Sequence, residues 1–462
     1  MRRKTAISFF WCFGFLAILV LAEQVAGLAV SLATVLVLVA SLLLVRKSCL
    51  LFTFKRLSVT SFWYLSYLAM IFVPSFVVYD YQEGLYRGRY LFAVETVLLT
   101  VPLGWSLANW LWSFNPTEID TFYRRPVELG SVENGLLGRS WVLLIACLML
   151  TVAYVIEVRT IPLLYLIRHP GDMMEVALLR EESFKTLNSH LSYLYYWCRG
   201  TFYPFLILVS MGAYLETRTW KWLCTLLVAS ISGVLFAAFA VAKSPVALIV
   251  LVAAVFYYVY KQGHINRKTI AVMLILVFLF PVAVITYASS SESTTALLVM
   301  GAIGYRLFYI PAEVVYYYFE VFPHRIPYLH GRGIDKLAKL LNEPYFDTAN
   351  MVGTYAYPFG LESVSANAAF ISDLNADFGM WGVVLGGFIA GLIMQSMQIF
   401  VVRRRKTITT VALFSFLMVT FWFLNSTSLP VVLMSDGVIL SVVLAWYLDR
   451  PKHAGLVAAR AS

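Results

Sequence analysis

The sequence predicts an all-α fold, a polytopic transmembrane helix bundle of about twelve membrane helices with two folded loops on its outer face. Three observations predict it. Of the 462 residues, 61% are apolar and only 13% charged, a balance that a water-facing globule of this length does not have. Apolar stretches long enough to cross a hydrocarbon core of about 30 Å, which takes roughly 20 helical residues, recur from one end of the chain to the other. Lys and Arg fall in short clusters between those stretches, which gives the bundle a side.

The first element follows Met1-Arg2-Arg3-Lys4, a basic start that has the form of a signal sequence. A second apolar run follows at once with no small-residue cleavage pattern, so an uncleaved first helix is expected. The apolar runs place helices at 6–22, 24–45, 60–79, 90–112, 141–157 and 196–216. Six more fall at 221–241, 244–261, 269–288, 378–400, 407–426 and 429–448, and residues 1–462 form a single integral membrane domain.

The basic clusters Arg46-Lys47, Arg124-Arg125, Arg218 with Lys221, Arg267-Lys268 and Arg403-Arg404-Arg405-Lys406 then alternate onto one face with Arg2-Arg3-Lys4 and with Arg450 and Lys452. Such clusters stay on the cytoplasmic side, so both termini are expected there. The same pattern explains the net charge of +10 without nucleic acid, because the cations form no extended patch. The five cysteines lie in or near apolar segments without disulfide or zinc spacing and are expected to pack the core.

Two long connections, 158–195 and 289–377, fall on the opposite face. Both are rich in Tyr, Leu, Ile and Phe rather than in the polar residues of unstructured chain, so both are expected to fold. Residues 171–180 have the spacing of an interfacial helix, and a second helix is expected over 312–322, after Pro311. Residues 295–310 are apolar enough to enter the membrane in part. In the tenth helix, Gly382 with Gly386 and Gly387 with Gly391 are Gly-x-x-x-Gly pairs, which predict close backbone packing at the centre of the bundle.

Charged groups close to the membrane are the candidates for chemistry, because desolvating them is costly unless a partner or a cavity compensates. Lys243 sits in the turn between the seventh and eighth helices, where it either snorkels to the headgroups or faces a cavity. Arg306 is surrounded by aliphatic and aromatic residues, and its planar guanidinium suits phosphate oxygens. Arg199, at the outer mouth of the sixth helix, is of the same kind. Asn367, Asp373, Asn375 and Asp377 precede the glycine-rich helix, where Asn and Asp serve as caps or as polar site residues. His324 and His330 are loop histidines able to act as bases near neutral pH. The charges cluster at helix ends and in outer loops, which favours surface chemistry over transport, and Glu95, near the outer end of the fourth helix, is the nearest exception. No outer Asp-x-Asp pair or His/Cys cluster indicates a metal cofactor.

With the turn Ala242-Lys243-Ser244, the run from Arg306 to Phe322, the Gly331-Arg332-Gly333 triplet and the segment from Asn367 to Gly382, the chain resembles the oligosaccharide repeat-unit polymerases, the Wzy-type O-antigen polymerases. The resemblance implies a GT-C-like membrane glycosyltransferase of the bacterial inner membrane, multi-pass, with its active site on the periplasmic face. It implies metal-independent, inverting polymerisation of undecaprenyl-diphosphate-linked repeats, with lipid-linked donor and acceptor, the lipid bilayer and a chain-length regulator protein as partners. Without a metal, fixed cations must stabilise the diphosphate leaving group. Lys243 and Arg306, with Arg199 or Arg332, are available for this, and Asn367 joins them as a substrate-binding candidate. The acid–base group is expected to be Asp377 or His330. The related O-antigen ligases share the topology and use a loop histidine, and a lipid-linked oligosaccharide flippase is the alternative without covalent chemistry.

Overall fold

The computed structural model describes residues 32–46, 56–128, 135–170, 172–185, 189–241, 243–264, 275, 282, 301–358 and 365–450. The helix expected at 6–22, the one expected at 269–288 apart from Ile275 and Val282, and the basic N-terminal cluster lie outside the described residues. Among the described residues the regular elements are helical, and the one extended pairing is an isolated bridge between Glu128 and Thr407.

In chain order the helices are α1 (Leu32–Arg46), α2 (Val59–Tyr81), α3 (Arg87–Leu111), α4 (Thr117–Arg124), α5 (Leu137–Glu157) and α6 (Pro162–Arg168). They continue as α7 (Met173–Lys185), α8 (Ser189–Trp197), α9 (Tyr203–Thr217), α10 (Trp220–Ala238), α11 (Lys243–Tyr260) and α12 (Ile310–Val321). The last are α13 (Asp335–Leu340), α14 (Thr348–Ala356), α15 (Phe370–Val402), α16 (Ile408–Trp422), α17 (Leu429–Met434) and α18 (Val438–Asp449).

Seven helices among the described residues are long and apolar enough to cross a membrane: α2, α3, α5, α10, α15, α16 extended to Asn425, and the α17–α18 pair. The shorter apolar helices Leu32–Arg46 and Pro245–Tyr260 add to these. The chain is a polytopic helical membrane protein. Both long connections contain helices, α6 to α8 in the first and α12 to α14 in the second.

Among the described residues, three helical rods are locally underwound into complete π-turns, at Leu68–Phe72, Cys198–Phe202 and Tyr305–Tyr309. In each, the residue two places beyond the π-turn is a proline: Pro74, Pro204 and Pro311. Proline brings no N–H and its ring crowds the carbonyl four residues back, so the preceding turn widens rather than breaking the rod.

The chain divides into two compact units. The first comprises residues 1–116, 304–399 and 422–430. Its centre is the contact of α3 with α15, which the sequence prepares by leaving out side chains. A Cβ on Gly391 would meet the backbone of Val101, and one on Gly104 the backbone of Phe388 and Leu392. The close packing expected of Gly387 and Gly391 is thus made with α3. Nearby, Gln398 accepts from the Thr60 amide at 3.2 Å and donates to Gln395 at 2.9 Å, so these buried amides satisfy one another. Glu95 is buried in α3 and receives the Thr34 hydroxyl of α1.

The second unit comprises residues 117–303, 400–421 and 431–462. Its core helix is α16, where Phe414 packs on Phe122 at 5.2 Å between ring centres and Phe416 on Phe205 at 6.2 Å. Lys406, 1% exposed, donates to the carbonyls of Tyr123 and Arg125, both at 2.9 Å. These carbonyls lie at and just past the C-terminal end of α4, so the ammonium both donates to them and meets the negative end of the helix dipole. One member of the basic cluster 403–406 is therefore a core residue.

Candidate functional site

The second long connection of the first unit returns to the bundle through α15, and α15 is not straight. Gly379 has φ 62° and ψ −153°, outside the helical region, and divides it into a short arm, 370–378, and a long one, 380–402. The arms fold on each other closely enough that Leu374 lies against Gly382 and Gly386. The two Gly-x-x-x-Gly pairs thus have different partners: the first accepts the short arm and the second accepts α3. A side chain at 379 would also meet the ring of Tyr328 at 2.9 Å.

At the end of the short arm stands Asp377, fully buried. Its Oδ1 accepts the amides of Gly331 and Gly333, both at 2.9 Å, and its backbone oxygen accepts the His330 amide at 2.9 Å. The Leu329 amide donates to the Ala376 oxygen at 3.0 Å, so 329–333 is strapped along the arm. This explains the triplet Gly331-Arg332-Gly333. Gly331 has φ +98°, and a Cβ on Gly333 would stand 2.9 Å from the Asp377 carboxylate. His330 precedes it, also left-handed at φ 53°, a conformation that costs a non-glycine residue free energy and persists only where the surroundings hold it.

The strap displays two of the expected site residues. His330 is exposed, and Arg332 is half-buried with Nε donating to the Leu329 oxygen at 3.3 Å. Asp377 stands as their anchor rather than as a group open to substrate, so of the two acid–base candidates the accessible one is His330. The second carboxylate oxygen of Asp377 has no partner among the described residues.

Beside it lies a residue that sequence reasoning passed over. Arg89, in the first turn of α3, donates to the Tyr328 hydroxyl and at 3.4 Å to Oδ1 of Asn375. Its Nε and the Asn375 Nδ2 are buried without partners among the described residues. A signal was present. Arg87 and Arg89 fall where the charge alternation leaves no place for cations, and a cation against the alternation calls for another explanation.

Asp373 accepts the Thr348 hydroxyl at 3.0 Å, tying the arm to α14. Close by, burial and then the charge of Asp347 push the phenol of Tyr345 up to about 12, so this half-exposed ring carries a donor hydroxyl at neutral pH.

The remaining candidates are dispersed. Arg306 belongs to the first unit, exposed on the π-turn Tyr305–Tyr309. Asn367 is exposed and accepts from the Ser365 hydroxyl at 3.3 Å, and His324 packs against Tyr86 with 5.0 Å between rings. Arg199 belongs to the second unit, in the π-turn Cys198–Phe202, with its guanidinium 5.3 Å from the Tyr196 ring centre. It lines a cavity of about 20 Å³ with Tyr154, Tyr195 and Phe236, room for one water. Arg199 and Arg306 thus share a local setting, each the second residue of a π-turn and five residues before a proline. Lys243 begins α11, and its side chain lies outside the described residues. The second unit also has a polar cleft of about 330 Å³, lined by Glu157, Arg159, Thr160, Glu182 and Ser183.

No family model matches the chain, no curated protein matches its sequence and no solved structure matches its fold.

Proposed function

We propose that the chain is a polysaccharide polymerase of the Wzy type, a metal-independent inverting glycosyltransferase joining undecaprenyl-diphosphate-linked repeats on the periplasmic side of a bacterial inner membrane. The observation that carries this reading is the strap 329–333, which holds the exposed His330 and the half-buried Arg332, two residues apart, on a buried carboxylate anchor. A loop carrying strained backbone and an unburied base, fixed to a rigid helix arm, has the form of a catalytic element.

In the proposed reaction the acceptor sugar hydroxyl attacks C1 of the donor sugar from the side opposite the diphosphate. The C1–O bond to phosphate breaks, its electron pair leaves with the undecaprenyl diphosphate, and the configuration at C1 inverts. His330 takes the proton of the attacking hydroxyl. Arg332 and Arg306, both of the first unit, supply positive charge where the leaving group becomes anionic, and Asn367 contacts substrate; Lys243, of the second unit, is tested on its own by substitution.

Deleting the gene should leave surface polysaccharide with a single repeat and no ladder on a gel. Loss of single repeats as well would favour the ligase or the flippase. Arg306→Ala and Lys243→Ala should each abolish the ladder while the protein still inserts, and His330→Ala should slow polymerisation by roughly 10²–10⁴, the usual contribution of a positioned base. Full-length polymer from all three variants would refute the assignment.

A further inference from the structure

The helix α12 carries two faces of different character. One is core, with Val314, Val315, Tyr318 and Phe319 at 2% exposure or less. The other, continued back through the π-turn Tyr305–Tyr309, is a stripe at four-residue spacing, Tyr305, Tyr309, Glu313 and Tyr317, and a spacing of four keeps these residues on one side of a helical rod. Tyr305 and Tyr309 stack at 4.8 Å, and Tyr317 meets Tyr355 and Tyr357 edge-on at 6.3 and 6.2 Å. Tyr305 is 51% exposed, so the outer end of the stripe is open.

Two carboxylates are set among these rings. Glu313 accepts the Tyr357 hydroxyl at 3.3 Å, and Glu320 accepts the Tyr355 hydroxyl at 2.7 Å. The Arg325 guanidinium covers the Tyr355 ring at 4.2 Å and pairs with Glu320 at 3.8 Å. Tyrosines also suit the headgroup zone of a membrane, but lipid contact gives no reason to set Glu313, 8% exposed, and Glu320 among the rings, because a carboxylate withdrawn from water needs donors.

The partner that fits has many hydroxyl donors and some apolar surface. A sugar ring has both, a C–H face that lies on an aromatic ring and a rim of hydroxyls that carboxylates and phenols accept from and donate to. Its successive residues repeat on a scale comparable to the pitch of a helix, about 5.4 Å. An organic cation fits less well. A cation cage needs several free ring faces converging on one point, whereas Tyr305 and Tyr309 lie face to face and Arg325 already covers Tyr355.

We propose that Tyr305, Tyr309, Glu313 and Tyr317, with Tyr355 and Tyr357, form a rail that binds a glycan chain. This deepens the polymerase reading and rests on it for the identity of the glycan. The rail holds sugar residues by stacking and hydroxyl contacts and takes no part in bond making.

The test uses the full chain in lipid nanodiscs and, as probe, the repeat-unit oligosaccharide freed from its lipid carrier by mild acid. Binding is followed by saturation-transfer NMR. Wild type should bind, and Tyr305→Ala and Glu313→Gln should each bind about tenfold more weakly, the loss of one stacked or hydrogen-bonded group. Tyr305→Phe, which keeps the ring, should retain most of the affinity. If Glu313→Gln fails to fold, the half-exposed Tyr305 pair decides alone. Unchanged binding in Tyr305→Ala, or displacement of the probe by tetramethylammonium, would overturn the rail. A separate polymerisation assay keeps the two readings apart. A wild type that binds the oligosaccharide at the rail but joins no lipid-linked repeats retains the rail and loses the polymerase, and the reverse outcome does the opposite.

Discussion

Gly391→Leu should leave little folded protein in the membrane fraction. At this position α15 and α3 touch backbone to backbone, and the atoms a side chain would strike are the main chain of Val101. Overpacking a core costs about 1–3 kcal/mol when side chains can move aside. Here only a helix can move, so the cost should lie at or above the top of that range. The same holds for Gly104→Val, which strikes Phe388 and Leu392. Gly387→Ala should be milder, because its neighbour is the Thr100 side chain, and Gly88→Ala should be silent, with nothing within 4 Å. Size-exclusion profiles of fluorescently tagged variants in detergent check the order. A well-folded Gly391→Leu would contradict the packing.

Asp377→Ala should abolish function by a route different from that of a lost base. It removes the acceptor of two amide hydrogen bonds and leaves the Gly331 and Gly333 amides unpaired, at about 1–3 kcal/mol each. The strap should come free and be cut by trypsin at Arg332, while the α3–α15 core stays intact. Asp377→Asn separates anchor from base. An asparagine keeps an acceptor oxygen for the two amides, so an anchor should retain a substantial part of its activity. A general base would be as inactive with Asn as with Ala. Equal inactivity with the strap still protected would return the acid–base role to Asp377.

The long apolar runs were legible because hydropathy over some twenty residues sums many small terms of one sign. The runs expected at 60–79 and 141–157 became Val59–Tyr81 and Leu137–Glu157. The glycine pairs in the tenth helix were legible as packing surfaces for the same reason that a missing side chain can be read directly. Their division between two partners was not, because it depends on the bend at Gly379, where a single glycine in an apolar run looks like any other. The expected last helix, 429–448, is likewise interrupted, by the left-handed Gly437.

The site was legible in part. Gly331-Arg332-Gly333 and Asp377 were both singled out, but their joining was not, since the hydrogen bonds span 44 and 46 residues and nothing local announces them. Arg89 was missed because cations beside membrane helices are read first as topology signals, and its role depends on a tyrosine 239 residues away. Charge alternation also could not separate Lys406 from its neighbours. What distinguishes it is that two carbonyls at the end of α4 need a donor.

The most direct test of the proposed function is reconstitution. Purified protein in nanodiscs is given one defined undecaprenyl-diphosphate-linked repeat in buffer containing EDTA, and products are separated by size. Lipid-linked products of two and more repeats are expected, joined with inverted configuration at the new bond and absent with Asp377→Ala. Recovery of only the single, unjoined repeat from folded wild-type protein would contradict the proposed function.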